Sequence, residues 1–172
     1  MFKNEMFKNE IYVYIEISKN SNIKYEYDNE LKGLICDRIL HTPFKYIFNY
    51  GFIPNTLSED NDTLDALVLI DEELVPGSHI KCKIIGCLET SDDKGNDPKL
   101  ILVPIEKVDP TYKNINNIND IPEHTINKIR YFFQHYKDLE NKNVLIGNFL
   151  NQTDSINIYF KSLEAYENNK SK

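Results

Sequence analysis

The chain has 172 residues, enough for one domain with a buried core, and 41% of them are hydrophobic and 27% charged, which is typical of a soluble globular protein. Its net charge of −7 suits a protein that gathers divalent cations and argues against a nucleic-acid partner, which needs clustered lysines and arginines. No apolar run approaches the roughly 20 residues that span a bilayer. Three cysteines without zinc-site spacing predict no disulfide framework, so we expect a cytoplasmic protein with no membrane partner.

Taken in chain order, the sequence begins with a duplicated MFKNE that lacks the apolar centre of a signal peptide, and we predict a mobile leader over residues 1–10. An aromatic loop is predicted at 42–54, because this segment contains glycine and proline. Alternating or short apolar segments at close spacing predict a closed or nearly closed barrel. The predicted strands are 11–17, 23–28, 33–40, 65–71, 76–90 and 100–105.

After Asp109 the spacing of the apolar residues changes from that of strands to that of helices. Apolar residues then recur at helical spacing and predict a helix over 122–141, followed by a short strand at 143–149. Thr153 or Asp154 is the predicted cap of a last helix. No linker divides the chain, so residues 11–168 are predicted to form a single domain of the mainly β, α+β class, a barrel with two packed helices. The helical face at 122–141 consists of Ile126, Ile129, Phe133 and Tyr136.

An acidic cluster, Asp60, Asp62 and Asp65, stands immediately before an aliphatic strand. Three carboxylates this close cannot all stay ionised unless one keeps a proton or a cation lies among them. Oxygen ligands without histidine or cysteine suit a hard cation such as Mg²⁺ or Mn²⁺. The spacing is not that of an EF-hand loop, whose sixth and twelfth positions would here be Asp65 and Asp71. For an isolated cluster, a solvated acidic turn is the commoner outcome.

A second acidic segment contains Asp92, Asp93 and Asp97, with Lys99 two residues later. Loops at one end of a barrel converge, so the two acidic segments are expected to share one cavity. Two metals in such a cavity can clamp the attacking and leaving oxygens of a phosphoryl transfer. Lysine, arginine and tyrosine side chains can bind phosphate oxygens. The candidates are Lys24, Arg38, Lys99, Lys137, Tyr46, Tyr50 and Tyr136.

In their order and spacing, these residues resemble the soluble family I inorganic pyrophosphatases, in particular the short bacterial type. EDNDTLDALVL is similar to the family's acidic signature D-G-D-P-x-D. The resemblance extends from IYVYIEI, which contains Glu16, to the final helix. Many charged residues matched in order over most of the chain are more specific than any single motif. The matching segments also include IKYE, CDRIL, KYIFNYGFIPNTLS, DDKGNDPK and FFQHYKDLE.

The resemblance implies a small five-stranded OB-like barrel and hydrolysis of inorganic pyrophosphate to two orthophosphates, with Mg²⁺ as cofactor and Mn²⁺ as a substitute. It implies that Asp62 accepts a proton from the attacking water, supported by Glu16 and Lys99. Relatives of this length are commonly hexamers, so a homohexamer is expected. The implied metal ligands are Asp60, Asp65, Asp97, Asp92 and Glu26, and the implied phosphate ligands are Lys24, Arg38, Tyr46, Tyr50, Tyr136 and Lys137.

The sequence departs from the family pattern at several positions. Asn61 and Thr63 replace the glycine and proline of the acidic signature, and Asn tolerates the left-handed backbone better than most residues. Tyr131 stands where many bacterial members carry a histidine at a subunit contact. Two alternatives stay open. The replacements at Asn61 and Thr63 support an inactive scaffold derived from a pyrophosphatase. An OB-type barrel with many aromatic residues is also compatible with a module that binds single-stranded nucleic acid.

Overall fold

A computed structural model describes residues 7–171 of the protein. In chain order, the short 3-10 turns are Pro110–Tyr112, Ile118–Asp120 and Asp138–Glu140. The helices are α1 (Glu123–His135) and α2 (Gln152–Lys170). The strands are β1 (Ile11–Ile17), β2 (Ile23–Asp28), β3 (Gly33–Ile39), β4 (Asn49–Ile53), β5 (Leu64–Val68), β6 (His79–Asp92), β7 (Gly95–Asn96), β8 (Lys99–Pro104) and β9 (Leu145–Leu150).

Five strands form a closed hydrogen-bonded ring in the order β1, β4, β5, β8 and β6, and β6 pairs again with β1. Only the contact between β5 and β8 is parallel; the other ring pairs are antiparallel. Strands β7 and β9 extend the sheet from β6, while β2 and β3 form a separate hairpin. The ring with its two helices confirms the predicted mainly β, OB-like architecture.

The ring separates two apolar cores. Both cores draw residues from all five ring strands. Val13, Leu102 and Ile84 of the first core are completely buried, and the second core contains Ile129 and Phe133 of α1. Successive residues of a strand face opposite sides, so β5 and β8 supply both cores. The rigid sheet edge between these cores carries the acidic segments.

Helix α1 follows its predicted apolar face, since Ile129, Phe133 and Tyr136 are buried. It ends at His135, earlier than predicted, and a 3-10 turn leads to Asn141 in the left-handed conformation at φ 54°. The predicted cap of α2 was wrong. Asn151 is the cap: its side-chain oxygen accepts a hydrogen bond from the Asp154 amide at 2.9 Å, so Thr153 and Asp154 lie inside the helix.

Strand β4 lies inside the segment predicted as an aromatic loop. Four of its five residues are buried, so the strand shows no polar alternation. Its Asn49 is fully buried and accepts hydrogen bonds from the Lys19 amide at 2.9 Å and the Leu74 amide at 3.0 Å. Gly51 is required by a close approach, because a Cβ atom there would lie 1.8 Å from the Tyr14 carbonyl oxygen. Strands β1 and β4 therefore approach each other closely at this position.

The predicted leader lies partly outside the described residues. Its described part contacts the domain: the Phe7 ring lies 4.9 Å from that of Phe160 between centroids, and the Asn9 side chain exchanges hydrogen bonds with the Ile84 backbone. Among residues 7–171, no helix combines the length and the apolar character needed to cross a bilayer.

Candidate active site

A polar cavity of about 530 Å³ opens at one end of the ring, between the acidic segments, the β2–β3 hairpin and the end of α1. Twelve of the fourteen predicted site residues line it, so the expected convergence of the two acidic segments is observed. These twelve are Glu16, Lys24, Glu26, Tyr50, Asp60, Asp62, Asp65, Asp92, Asp97, Lys99, Tyr136 and Lys137.

The first acidic loop connects β4 to β5 and is held by Thr56. The buried Thr56 hydroxyl donates to the Ile53 carbonyl at 2.5 Å and accepts from the Leu64 amide at 2.9 Å. Asn61 adopts the left-handed conformation at φ 64°, which asparagine tolerates better than most residues. The turn at this position therefore forms without the glycine of the family signature.

Lys99 lies between the two acidic segments. The parallel pairing of β5 with β8 sets it opposite Asp65, and its ammonium group lies 2.6 Å from one carboxylate oxygen of Asp65 and 2.6 Å from one of Asp97. Lys99 is only 5% exposed. Burial, then the charge of Asp65, raises the pKa of Asp97 to about 6, although Lys99 opposes this effect. One ammonium group thus offsets only part of the negative charge.

The remaining carboxylates are crowded as well. Burial raises the pKa of Glu16 to about 7, opposed by the Tyr27 amide, which donates to the carboxylate at 2.9 Å. Burial, followed by the charge of Asp97, also raises the pKa of Asp60. Carboxylates whose ionisation is suppressed in this way gain from a nearby cation.

The donor set fits a hard divalent cation, because it consists of carboxylate oxygens that lack sufficient counter-charge. Within residues 7–171, no group of three or more histidine, cysteine, aspartate or glutamate side chains already has the arrangement of a metal site. Asp65 and Asp97 hold the Lys99 ammonium group between them.

A basic and phenolic wall faces the acidic loops. Burial, followed by the positive charges of Lys99, Lys24 and Arg38, lowers the pKa of Lys137 to about 8. Burial raises the pKa of Tyr136 to about 12, so its hydroxyl stays protonated and can donate to an anion. This wall provides the cationic and O–H donors that phosphate oxygens require.

Two predicted residues do not line the cavity. Arg38 forms ion pairs with Asp37 and with Glu140, the latter at 2.7 Å from Nε to Oε1. Tyr46 is 1% exposed and packs behind the wall, its ring centroid 5.4 Å from that of Tyr50. The sequence alone does not indicate which of the fourteen predicted site residues line the cavity.

Other lining residues were not predicted. Tyr27 supplies the amide that binds Glu16, and α2 reaches the cavity rim with Tyr166 and Asn169. Lys94 lies beside the second acidic segment, where it is easily taken for part of a solvated turn. Backbone donors and residues from a distant helix leave no local signal, whereas Lys94, the single positive charge between Asp92 and Asp97, could have been noticed.

Comparison with known proteins places this geometry in a family. The family model described as inorganic pyrophosphatase matches residues 13–167. The inorganic pyrophosphatase of Helicobacter pylori is 47% identical over 156 residues, covering 90% of this chain and 90% of the relative. That of Nanoarchaeum equitans is 49% identical over 160 residues, covering 92% and 98%. A solved structure of the Helicobacter pylori enzyme superposes with a TM-score of 0.90 at 46% identity, covering 92% and 94%.

The matched segment contains every residue of the cavity except Asn169. The fold, the carboxylate-rich cavity and the sequence comparisons agree throughout that segment. The chain therefore belongs to the family I inorganic pyrophosphatases, divalent-metal-dependent enzymes that hydrolyse inorganic pyrophosphate, and this hydrolysis is its function.

Proposed function

We propose that Asp62 accepts the proton of the water that attacks pyrophosphate. Its carboxylate lines the cavity and is exposed, while the Thr63 amide donates to Oδ1 at 2.8 Å and holds its orientation. The neighbouring Asp60 carboxylate accepts from the Asp62 amide at 3.1 Å, which fixes the backbone of the loop. An oriented carboxylate facing the reacting groups has the properties of a general base.

We further propose that the metal is Mg²⁺, held first by Asp60, Asp65 and Asp97. Asp92, Asp97 and Glu26 hold ions that accompany the substrate. The all-oxygen donor set and the raised pKa values of Asp60 and Asp97 support this assignment. Bound there, Mg²⁺ would neutralise charge on pyrophosphate and lower the pKa of the attacking water. Glu16 and Lys99 support this network, Lys99 from between Asp65 and Asp97.

In this proposal, phosphate oxygens are bound by Lys24, Tyr50, Tyr136 and Lys137 of the basic and phenolic wall and by Arg38, which does not line the cavity in this structure. Tyr50 and Tyr136 are both buried, and burial raises both pKa values, so their hydroxyls remain donors across the physiological pH range. Tyr46, predicted as a further phosphate ligand, is buried behind Tyr50, and we propose that it supports the ring of Tyr50. Positioning and electrostatics supply most of the rate in phosphoryl transfer.

The direct test is phosphate release from pyrophosphate, titrated with Mg²⁺ and compared with Mn²⁺. Asp62→Asn should keep the fold, judged by circular dichroism and melting temperature, and lose on the order of 10²–10⁴ in kcat, as expected for a general base. Asp93→Asn is the matched control, because Asp93 is exposed and does not line the cavity. Full activity of Asp62→Asn would refute the assigned base, and no release by the wild-type protein would indicate an inactive scaffold.

We also propose a cytoplasmic homohexamer. In the single chain, Phe44, Ile47 and Tyr131 line an open apolar groove of about 460 Å³ beside α1, a surface that a subunit contact would cover. All three cysteines are free, and Cys36 is exposed, which suits a reducing compartment. Light scattering coupled to size-exclusion chromatography would give the mass, and a monomeric mass would refute the hexamer.

A further inference from the structure

Glu140 lies outside the predicted site but contacts one of its residues. It ends the 3-10 turn that follows α1, and its side chain is 4% exposed. Its Oε1 atom lies 2.7 Å from Arg38 Nε on β3, whose side chain is 18% exposed. Asp37 pairs with the Nη1 atom of the same guanidinium group. Arg38 is therefore held by two carboxylates, and only that of Glu140 is buried.

The ion pair leaves three buried atoms without a hydrogen bond. Within the described part of the chain, these are Arg38 Nε, Arg38 Nη2 and Glu140 Oε2, so the 2.7 Å contact between Nε and Oε1 is an ion pair without hydrogen-bond geometry. Buried donors of this kind are rare in native structures and call for an explanation. Nη2 therefore keeps N–H donors that no group of the described residues uses, and guanidinium donors suit phosphate oxygens.

Arg38 is also close to the cavity wall. It pairs across the β2–β3 hairpin with Lys24, which lines the cavity. Burial and the charges of Lys99, Lys24 and Arg38 together lower the pKa of Lys137. The hairpin is a separate two-stranded sheet, and the Arg38–Glu140 pair joins it to the end of α1, where Tyr136 and Lys137 lie.

Stability alone is a weak reason for such a pair. A buried ion pair often contributes no more stability than apolar residues of the same volume, and its best-supported use is to specify one arrangement. Here that arrangement keeps the Arg38 charge beside Lys24 and Lys137. We propose that Glu140 is a positioning residue that orients Arg38 for binding pyrophosphate.

This inference rests on the proposed role of Arg38 as a phosphate ligand. Glu140→Gln keeps the size of the side chain and removes its charge, so Arg38 turns toward Asp37 and part of its contact with substrate is lost. We expect KM for pyrophosphate to rise about tenfold while kcat stays within about twofold, the pattern of lost uniform binding. Glu140→Asp keeps the carboxylate and should recover part of the KM. Glu123→Gln, at the exposed start of α1, is the control and should match the wild type.

A double-mutant cycle separates orientation from a general structural effect. If Glu140 acts through Arg38, Arg38→Gln and Arg38→Gln/Glu140→Gln should have the same KM. Arg38→Gln leaves the buried Glu140 carboxylate unpaired, so KM is compared only between variants whose circular dichroism matches that of the wild type. Glu140→Asp keeps both charges and tests the inference where Glu140→Gln does not fold. An unchanged KM in Glu140→Gln, or a higher KM in the double variant than in Arg38→Gln, would overturn the inference. Failure of the wild-type protein to hydrolyse pyrophosphate would instead count against the proposed function.

Discussion

The partly buried Glu16 provides a test of the charge crowding in the cavity that does not depend on catalysis. Burial raises its pKa from 4.5 to about 7, with smaller contributions from the charges of Asp65 and Glu26. Glu16→Gln removes the titration and keeps an oxygen that can accept the hydrogen bond from the Tyr27 amide. We expect the metal-free variant to be more stable than the metal-free wild type at pH 8.

The size and sign follow from proton linkage. Between pH 4.5 and pH 7, the unfolded chain has released the Glu16 proton while the folded protein still holds it, so the stability of the wild type falls as pH rises through this window. At about 1.4 kcal/mol per pKa unit, and allowing for partial exposure, the loss is roughly 2–3 kcal/mol at pH 8. The two proteins should therefore have similar free energies of unfolding near pH 4.5.

The assay is urea unfolding in EDTA at pH 4.5, 6 and 8, at one protein concentration because any oligomerisation links stability to concentration. Glu30→Gln, in the exposed turn between β2 and β3, is the control and should follow the wild type at each pH. Saturating Mg²⁺ should reduce the difference at pH 8, since a cation favours the ionised carboxylate. A stability difference between Glu16→Gln and the wild type that does not change with pH would refute the reasoning.

Three further variants test the framework of the site. Lys99→Met removes the counter-charge of two carboxylates and should lower the free energy of unfolding in urea by about 3–5 kcal/mol without metal, and by less with Mg²⁺. The control Lys107→Met, at an exposed position, should leave the stability unchanged under both conditions. Thr56→Val leaves the first amide of β5 without its partner and should lose about 1–3 kcal/mol by the same assay. Gly51→Ala meets a backbone oxygen at 1.8 Å and should lose more than about 3 kcal/mol or fail to fold, whereas Gly33→Ala, with open space, should melt like the wild type.

The strands whose bounds the sequence predicted well are those whose apolar and polar residues alternate. These are β1, which has one buried face, and β2, whose residues are all half-buried. Strand β4 was missed because burial on both faces erases that alternation. The cap of α2 was wrong for a different reason: Asn151, Thr153 and Asp154 are all competent caps, and only the path of the chain after β9 decides among them.

For the site, residue spacing predicted the acidic clusters, and the family resemblance supplied the expected phosphate and metal ligands. Neither predicted which of these side chains would point into the cavity. The parallel register that sets Lys99 opposite Asp65 joins residues 34 positions apart, and no local pattern encodes it. In the same way, Arg38 is separated by about a hundred residues from Glu140, which holds it, and both belong to segments that could equally be solvated. Long-range pairing, rather than composition, therefore determines which charged residues reach the cavity.

The cavity lining explains why acidic residues are crowded at the end of a stable ring. Seven carboxylates and four lysines line it, so its net charge is −3 when all are ionised. Pyrophosphate is itself a polyanion, and without cations it would meet a cavity of the same sign. Two divalent ions add four positive charges and change the net charge of the lining to +1. The folded ring therefore holds an unfavourable charge arrangement that divalent ions correct, which makes the affinity for pyrophosphate depend on the metal concentration.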